Sequence, residues 1–229
     1  MLTISATTEW QKAHPGAVIG LLELSGIDNS KASDVLNERK HEIEAQLRKQ
    51  YQGFSRQDFL ALPTMAAYDR YYNRFDKTYH VLLQVESIVL KGKSLPNVSP
   101  LVDANFMAEV ESLVLTAGHD VKKLQGSAFM EVSKAGDHMT QMNGASKEIR
   151  AGDMIMKDAG GICCSIIYGQ DNRSPISSET SHVLYVAYVP AGVPQESVDA
   201  QLTGIEKHIR LFSPTAVLEQ RHLLKAETA

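Results

Sequence analysis

The sequence predicts an α+β fold, because helical and strand-like patterns occupy different parts of the chain. Most of the first half has apolar residues recurring at three- and four-residue spacing, which is typical of helices. After Gly126, short apolar runs separated by Gly-, Asp- and Ser-rich turns predict strands. No linker-like stretch divides the halves, so we expect one domain over residues 1–229, with a mostly helical part at 1–94.

The first elements are two strands and a helix. Alternating apolar residues predict strands at 2–7 and 17–27. Asn29 and Ser30 can cap a helix that runs to about Arg48, with an apolar stripe on one side. The charged residues of this helix are expected to face solvent, and they are Arg39, Lys40, Glu42 and Glu44.

Three further helical regions follow. Two short helices are expected on either side of Pro63, and their aromatic residues at near-helical spacing are more typical of core packing than of a base-stacking surface. A helix is predicted from His80 to Lys91, and another at 101–118, with Gly118 as its stop signal. The aromatic residues in question are Tyr68, Tyr71, Tyr72 and Phe75.

The second half is predicted to be mainly stranded. Its apolar runs lie at 128–132, 153–157, 161–168 and 182–189. The run at 182–189 is apolar on both alternating faces, so we expect it in the middle of a sheet, and we expect 161–168 to belong to that same sheet. A last helix is predicted from Glu196 to Leu211, and residues 213–229 are expected to form a loose tail.

Composition and charge narrow the possible functions. The chain has 229 residues, of which 43% are hydrophobic and 22% charged, as in ordinary globular proteins. The net charge of -4 argues against a protein that coats nucleic acid, so RNA binding would have to be local, and DNA is not an expected partner. No apolar run is long enough to cross a bilayer and the first residues lack signal-peptide character, which favours a cytoplasmic protein without a membrane partner.

Several kinds of catalytic site are not indicated. Gly160 and Gly161 precede a strand rather than a helix, so they do not form a phosphate-binding loop, and no nucleophile elbow surrounds a serine. The eight histidines lack zinc-site spacing, and the adjacent Cys163 and Cys164 are expected to be reduced and structural. We therefore expect neither a metal nor a cofactor.

Two polar clusters interrupt apolar surroundings. Asp103 and Asn105 stand at the start of a predicted helix, where they are either capping residues or ligand-binding groups. Residues 170–173 follow an apolar strand and bring together two amides, a carboxylate and a guanidinium, either as a solvated hairpin loop or as one side of a binding site. The residues of this second cluster are Gln170, Asp171, Asn172 and Arg173.

The order of these segments resembles a known family. The runs "VDAN" at 102–105, "AGHD" at 117–120 and "KKLQG" at 122–126 are similar to successive motifs of the B3/B4 domain of the phenylalanyl-tRNA synthetase beta subunit. The hydroxyl-rich run at 174–180 matches a later motif of that domain. The chain is more similar still to freestanding proteins built from this domain alone, and the motif-bearing part covers about residues 95–190.

The resemblance implies a three-layer α+β fold with a sandwich-like sheet core flanked by helices. In the synthetase, the domain hydrolyses tyrosine wrongly attached to the phenylalanine transfer RNA, so the resemblance implies a site for a tRNA 3′ end, an aminoacyl group or a nucleotide. Carried over by motif, Asn105, Asp171 and Asn172 would bind substrate and His119 would be catalytic. The family histidine itself falls on Ala117.

Two functions are favoured over a third, a structural or partner-binding protein, which would leave the polar clusters unexplained. The first is editing-like hydrolysis of a misacylated aminoacyl-tRNA or a related ester, and the alternative is a non-catalytic module that binds RNA, a nucleotide or an amino acid. In either case we expect a pocket between the helix start at Asp103 and Asn105, a turn at His119 and Asp120, and the loop from Gln170 to Arg173. Asn105 would hold a carbonyl or hydroxyl group there, while His119 would orient a water molecule.

Overall fold

The computed structural model describes residues 2–227. The α-helices are α1 (Thr8–Ala13), α2 (Asp34–Gln50), α3 (Arg56–Ala61), α4 (Pro63–Asn73), α5 (His80–Val89), α6 (Pro100–Ser112) and α7 (Gln195–Phe212). The strands are β1 (Ile4–Ala6), β2 (Val18–Ser25), β3 (Thr116–Asp120), β4 (Ala128–Val132), β5 (His138–Thr140), β6 (Ser146–Glu148), β7 (Met154–Asp158), β8 (Gly161–Ser165), β9 (Gly169–Gln170), β10 (His182–Val189) and β11 (Val217–Lys225).

The strands form two main sheets, which confirms the predicted α+β class. One sheet has the order β1-β4-β7-β8-β9, with β1 parallel to β4 and the other pairs antiparallel. The other is antiparallel with the order β11-β2-β10-β3. A small hairpin joins β5 to β6. No helix in the described part of the chain is long and apolar enough to span a membrane.

Strand β10 lies inside its sheet, as the sequence predicts. Its alternate side chains enter two different hydrophobic cores, because successive residues of a strand point to opposite faces. Leu184 and Tyr188 pack into the core that also holds the aromatic residues of α4. Tyr185 and Val189 pack into the core covered by α6 and α7. The four aromatic residues at 68–75 are buried, which confirms their expected packing role.

Helix α6 is shorter than predicted, and this changes the site. The helix ends at Ser112, and Leu113 adopts a left-handed conformation with φ 65°. Residues 116–120 form β3, so the helix stop expected at Gly118 is wrong and His119 and Asp120 lie in a strand rather than a turn. The physical reason is tertiary, because β10 offers β3 a continuous antiparallel partner, beginning with the Tyr188 N–H that donates to the Leu115 carbonyl at 3.1 Å.

Helix α2 begins later than predicted, and two of its charged residues are buried. Ser33 is its N-cap, and its hydroxyl accepts from the Leu36 N–H. Asn29 instead accepts a hydrogen bond of 2.9 Å from Leu101 N–H at the start of α6. Lys40 and Glu44 do not face solvent as expected, because each has a buried partner: Lys40 Nζ lies 2.7 Å from Asp103, and Glu44 accepts from a backbone N–H.

Two further predictions are wrong. The runs at 161–168 and 182–189 do not share a sheet, because β8 pairs with β7 and β9 while β10 pairs with β2 and β3. Apolar patterning identifies a strand but does not specify its partner. Residues 213–229 do not form a loose tail, because they contain β11, an edge strand that pairs with the whole of β2. Most side chains of β11 are exposed, so its sequence has no clear strand pattern. Residues 228 and 229 lie outside the described part of the chain.

Candidate functional site

A cavity of about 370 Å³ lies between α5, α6, β3, β10 and the segment that follows β8. We call it the main cavity. Its walls are largely apolar and include Phe106, Ile176 and Tyr185. Two further lining residues, Val98 and Met142, are 63% and 58% exposed and therefore stand at the mouth. An apolar cavity of this size with a few polar groups is typical of small-molecule sites.

Helix α6 supplies one wall of the main cavity. Val102, Asn105, Phe106 and Glu109 all line it, and their three- and four-residue spacing places them on one face of the helix. The same helix packs against α7, whose buried Gln201 reaches towards this face. The helix therefore presents two polar residues, Asn105 and Glu109, in an otherwise apolar wall.

Asn105 and Glu109 are tied to the edge of β3. The Thr116 N–H donates to Glu109 Oε1 at 2.8 Å, and Asn105 Nδ2 donates to the Thr116 carbonyl at 3.0 Å. Gln201 Nε2 donates to the Thr116 hydroxyl at 2.9 Å. Burial raises the pKa of Glu109 to about 8, more than its hydrogen bonds lower it. At neutral pH the side chain is therefore a carboxylic acid, which can donate a hydrogen bond.

Two polar atoms on the cavity lining have unmet hydrogen-bonding capacity. Gln84 Oε1 is buried and has no hydrogen-bond partner in the described part of the chain. The buried Tyr188 hydroxyl interacts with the Cys164 thiol and has no nitrogen or oxygen partner among residues 2–227. Because a buried polar group without a partner costs free energy, each needs a reason to persist. Each can therefore pair with a polar group of a molecule that enters the main cavity.

Gly118 lets strand β3 approach Ile176 and Tyr185 closely at the main cavity. A Cβ at this position would lie 2.6 Å from Ile176 Cδ1 and 3.0 Å from the Tyr185 ring. The strand register pairs Gly118 with Tyr185 in a non-hydrogen-bonded pair, so its backbone N–H points away from β10, as does that of Thr116. Glycine at this position keeps the cavity open.

The structure brings only two of the predicted site residues to the main cavity, Asn105 and Gln170. Gln170 Nε2 donates to the Ser174 carbonyl at 2.9 Å and lies 3.1 Å from His119 Nδ1. His119 is fully buried behind the lining, with Nδ1 2.8 Å from the Ser174 hydroxyl. Burial lowers the pKa of His119 to about 3, so its imidazole is neutral and shielded from the cavity.

The acidic residues predicted for the site have structural partners instead. Asp103 forms a buried ion pair with Lys40 and accepts a hydrogen bond from the Val98 N–H. Asp120 accepts from the Thr180 hydroxyl at 2.9 Å and from the Lys122 N–H at 3.0 Å. None of these residues except Val98 lines the main cavity.

The loop after β9 is also held by internal contacts. Arg173 lies between two carboxylates, with Nε 2.8 Å from Asp171 and Nη1 3.1 Å from Asp158. Asn172 is exposed, and its N–H donates to the Thr140 carbonyl. Asp171, Asn172 and Arg173 thus fix the loop that carries Gln170 and do not line the cavity themselves.

Sequence reasoning missed several polar residues of the main cavity, among them His80, Gln84, Glu109 and Tyr188. Glu109 had a detectable signal, because it follows Asn105 by four residues in a strongly apolar helix. His80 stands at the mouth, with Nδ1 3.2 Å from the Tyr72 hydroxyl, and the protein around its ring lowers the pKa of His80. No cluster of three or more His, Cys, Asp or Glu side chains within residues 2–227 is arranged to hold a metal ion.

Comparison with known proteins gives a family match and likenesses to solved structures. The profile described as "B3/4 domain" matches residues 67–203. The solved structure of an N-terminal fragment of the phenylalanyl-tRNA synthetase beta subunit from Pyrococcus horikoshii has a TM-score of 0.47 and 8% sequence identity. The likeness covers 96% of this chain and 54% of that one, so the chain spans about half the length of the fragment. Among curated proteins, none matches.

Proposed function

The chain belongs to the B3/4 domain family, and from this premise we propose that its main cavity binds the aminoacyl group of an aminoacyl-tRNA or a related aminoacyl ester. The motif resemblance to the synthetase domain provides the substrate class. The unmet hydrogen-bonding capacity of Gln84 and Tyr188 in a largely apolar cavity is the observation that carries the proposal.

The chemistry of the lining suits a large amino-acid side chain with a polar group. The apolar walls bury the body of the side chain, which supplies most of the favourable free energy. Gln84 Oε1 accepts a hydrogen bond from an ammonium or hydroxyl group, and the Tyr188 hydroxyl donates or accepts. A protonated Glu109 adds a donor without bringing a negative charge into the cavity. Side chains that leave these groups unpaired are disfavoured.

Ester hydrolysis is the second candidate function, and His80 is the residue that favours it. Its exposed imidazole lies at the mouth of the main cavity, with Nδ1 3.2 Å from the Tyr72 hydroxyl, which orients the ring. A neutral imidazole can accept a proton from a water molecule that attacks an ester carbonyl. His119 is unsuited to that role, because it is shielded behind the lining.

The experiment compares binding and turnover on the same samples. A panel of aminoacylated tRNAs is incubated with the protein, and both the bound fraction and the loss of the ester bond are measured. We expect Tyr188→Phe to weaken binding by about 1–3 kcal/mol, which is the cost of one lost polar contact in a buried site. Tyr79→Phe is the matched control, because the buried Tyr79 hydroxyl donates to the Leu113 carbonyl and does not line the main cavity.

The outcomes separate the two functions. If Tyr188→Phe weakens binding and Tyr79→Phe leaves it unchanged, the result supports recognition of the aminoacyl group in the main cavity. Ester loss that His80→Ala abolishes while binding persists supports hydrolysis. Absence of binding to every aminoacyl ester in the panel, by protein that is shown to be folded, refutes the proposed function.

A further inference from the structure

A second cavity lies elsewhere on the molecule and shares no lining residue with the main cavity. It has a volume of about 190 Å³ and is formed by the end of α1, by one face of α4 and by the turn after β10. Its polar lining residues include His14, Arg70 and Arg74. Two arginines and a histidine around one small cavity are notable in a chain whose net charge is -4.

His14 is a buried polar group without a hydrogen-bond partner at Nε2. The residue is 6% exposed, lines the cavity, and its Nε2 atom has no partner within residues 2–227. The ring is held between aromatic neighbours, with its centroid 6.4 Å from that of Trp10 and 6.0 Å from that of Tyr71. Because an unpaired buried nitrogen is costly, its position at a cavity points to a ligand that pairs with it.

The two arginines lie at the C-terminal end of α4, where Arg70 is in the last turn and Arg74 is the C-cap. Their four-residue spacing places both guanidinium groups on one side of the helix. Arg74 lies over the Tyr71 ring at 5.1 Å from its centroid, and its Nη2 donates to the Gly152 carbonyl at 3.3 Å. Arg70 extends towards Gly192, where an added Cβ would lie 2.7 Å from Arg70 Nη2. The stacking on Tyr71 leaves Arg74 with further N–H groups for a ligand.

Nearby carboxylates are already engaged. Asp69 accepts a hydrogen bond from Asn73, and Asp153 accepts one from the Tyr71 hydroxyl at 2.7 Å. Asp76 forms a salt bridge with Arg150, whose Nη1 lies 3.0 Å from the carboxylate. In the described part of the chain, neither arginine of the cavity forms a salt bridge. Positive charge at this cavity is therefore not neutralised locally.

We propose that this cavity is an anion site that takes a single phosphate group. Guanidinium groups bind phosphate oxygens through paired, charge-assisted hydrogen bonds, and a neutral imidazole with its proton on Nε2 adds one donor. The cavity is well below the size of sites that enclose drug-sized ligands, so it suits a phosphate group rather than a whole nucleotide. The group comes either from free phosphate and phosphate monoesters or from the backbone of an RNA.

Inorganic phosphate is the first probe. Its binding to the full chain is measured by titration calorimetry, and the imidazole signals of His14 are followed by NMR in the same titration. We expect saturable binding that shifts the His14 resonances. Arg70→Gln is expected to weaken it about tenfold or more, as for the loss of one charged hydrogen bond. The control is Arg221→Gln, which removes the same charge where Arg221 pairs with Thr203 and Asp199, outside the cavity.

A short single-stranded RNA without terminal phosphates is the second probe, and it distinguishes the sources. If the RNA binds, and Arg70→Gln weakens that binding while Arg221→Gln does not, the result supports the proposed site with an RNA backbone as its ligand. If inorganic phosphate binds and the RNA does not, the result supports the proposed site with a small phosphate compound as its ligand. If neither probe binds saturably, or if both variants change binding equally, the proposal is refuted. The result can be told apart from that of the aminoacyl ester assay, because neither probe carries an aminoacyl group and the two cavities share no lining residue.

Discussion

Replacing Glu109 by glutamine tests whether the carboxyl group in the main cavity is protonated at neutral pH. Burial raises the pKa of Glu109 from 4.5 to about 8 in the folded protein. Between these pH values the folded chain holds a proton that the unfolded chain has released. The free energy of unfolding therefore falls as pH rises through this window, by about 1.4 kcal/mol per pH unit. Glutamine has no such proton and removes this dependence.

The expected result is a difference that grows with pH. The free energy of unfolding of Glu109→Gln, minus that of the unmodified protein, should rise by roughly 4 kcal/mol from pH 5 to pH 8 and then level off. Urea unfolding at a series of pH values measures it, with the fluorescence of the single, fully buried Trp10 as the signal. Other titrating groups are the same in both proteins, so their contributions cancel in the difference.

Glu38→Gln is the control, because it makes the same chemical change on an exposed side chain of α2. The difference in free energy of unfolding between Glu38→Gln and the unmodified protein measures the effect of replacing an exposed carboxylate by an amide. A difference for Glu109→Gln that stays flat between pH 5 and pH 8 would refute the reasoning. Glu109 would then be ionised at neutral pH, and the main cavity would carry a negative charge.

Three other predictions concern buried groups. Burial raises the pKa of the Cys164 thiol to about 12 and that of Cys163 further, so neither should react with iodoacetamide at pH 8 until denaturant is added, as mass spectrometry can check. Asp103→Asn leaves the buried Lys40 without its carboxylate and should lower the free energy of unfolding by about 3–5 kcal/mol in urea titrations, whereas Lys40→Met combined with Asp103→Leu should restore most of it. His119 binds a proton only when unfolded between pH 3 and 6.5, so stability should rise with pH across that window, and less steeply in His119→Gln.

The sequence predicts local elements well where patterning and capping agree. The two helices on either side of Pro63 and the helix at Gln195–Phe212 lie where their apolar stripes predict them. The partner of each strand was not predictable, because β8 and β10 have similar apolar runs but belong to different sheets. Pairing depends on contacts between distant segments, which single-sequence patterns do not encode.

The candidate site was only partly predictable for a related reason. Asn105 and Gln170 line the main cavity. Asp103 instead forms an ion pair with Lys40, and Asp120 accepts a hydrogen bond from Thr180. A polar residue in an apolar stretch signals a buried polar contact, and the sequence does not say whether that contact is with a ligand or with another part of the chain. Tyr188 illustrates the opposite case, because it resembles any core aromatic until the structure shows its hydroxyl without a nitrogen or oxygen partner among the described residues.

The end of α6 decides which residues face the main cavity. Had the helix continued to Gly118, as its apolar spacing predicts, Thr116 and Ala117 would have extended the helix face that carries Glu109, whereas Gly118 would have faced the opposite side. Because the chain instead reverses at Leu113 into an edge strand, Thr116 comes back alongside Asn105 and Glu109 and satisfies both. Asn105 and Glu109 are therefore largely paired within the protein, and apart from the carboxyl proton of Glu109 the groups left for a ligand come from other elements, namely Gln84 on α5 and Tyr188 on β10. Specificity for the ligand should accordingly respond to Gln84 and Tyr188, while Asn105 acts mainly through the shape of the cavity.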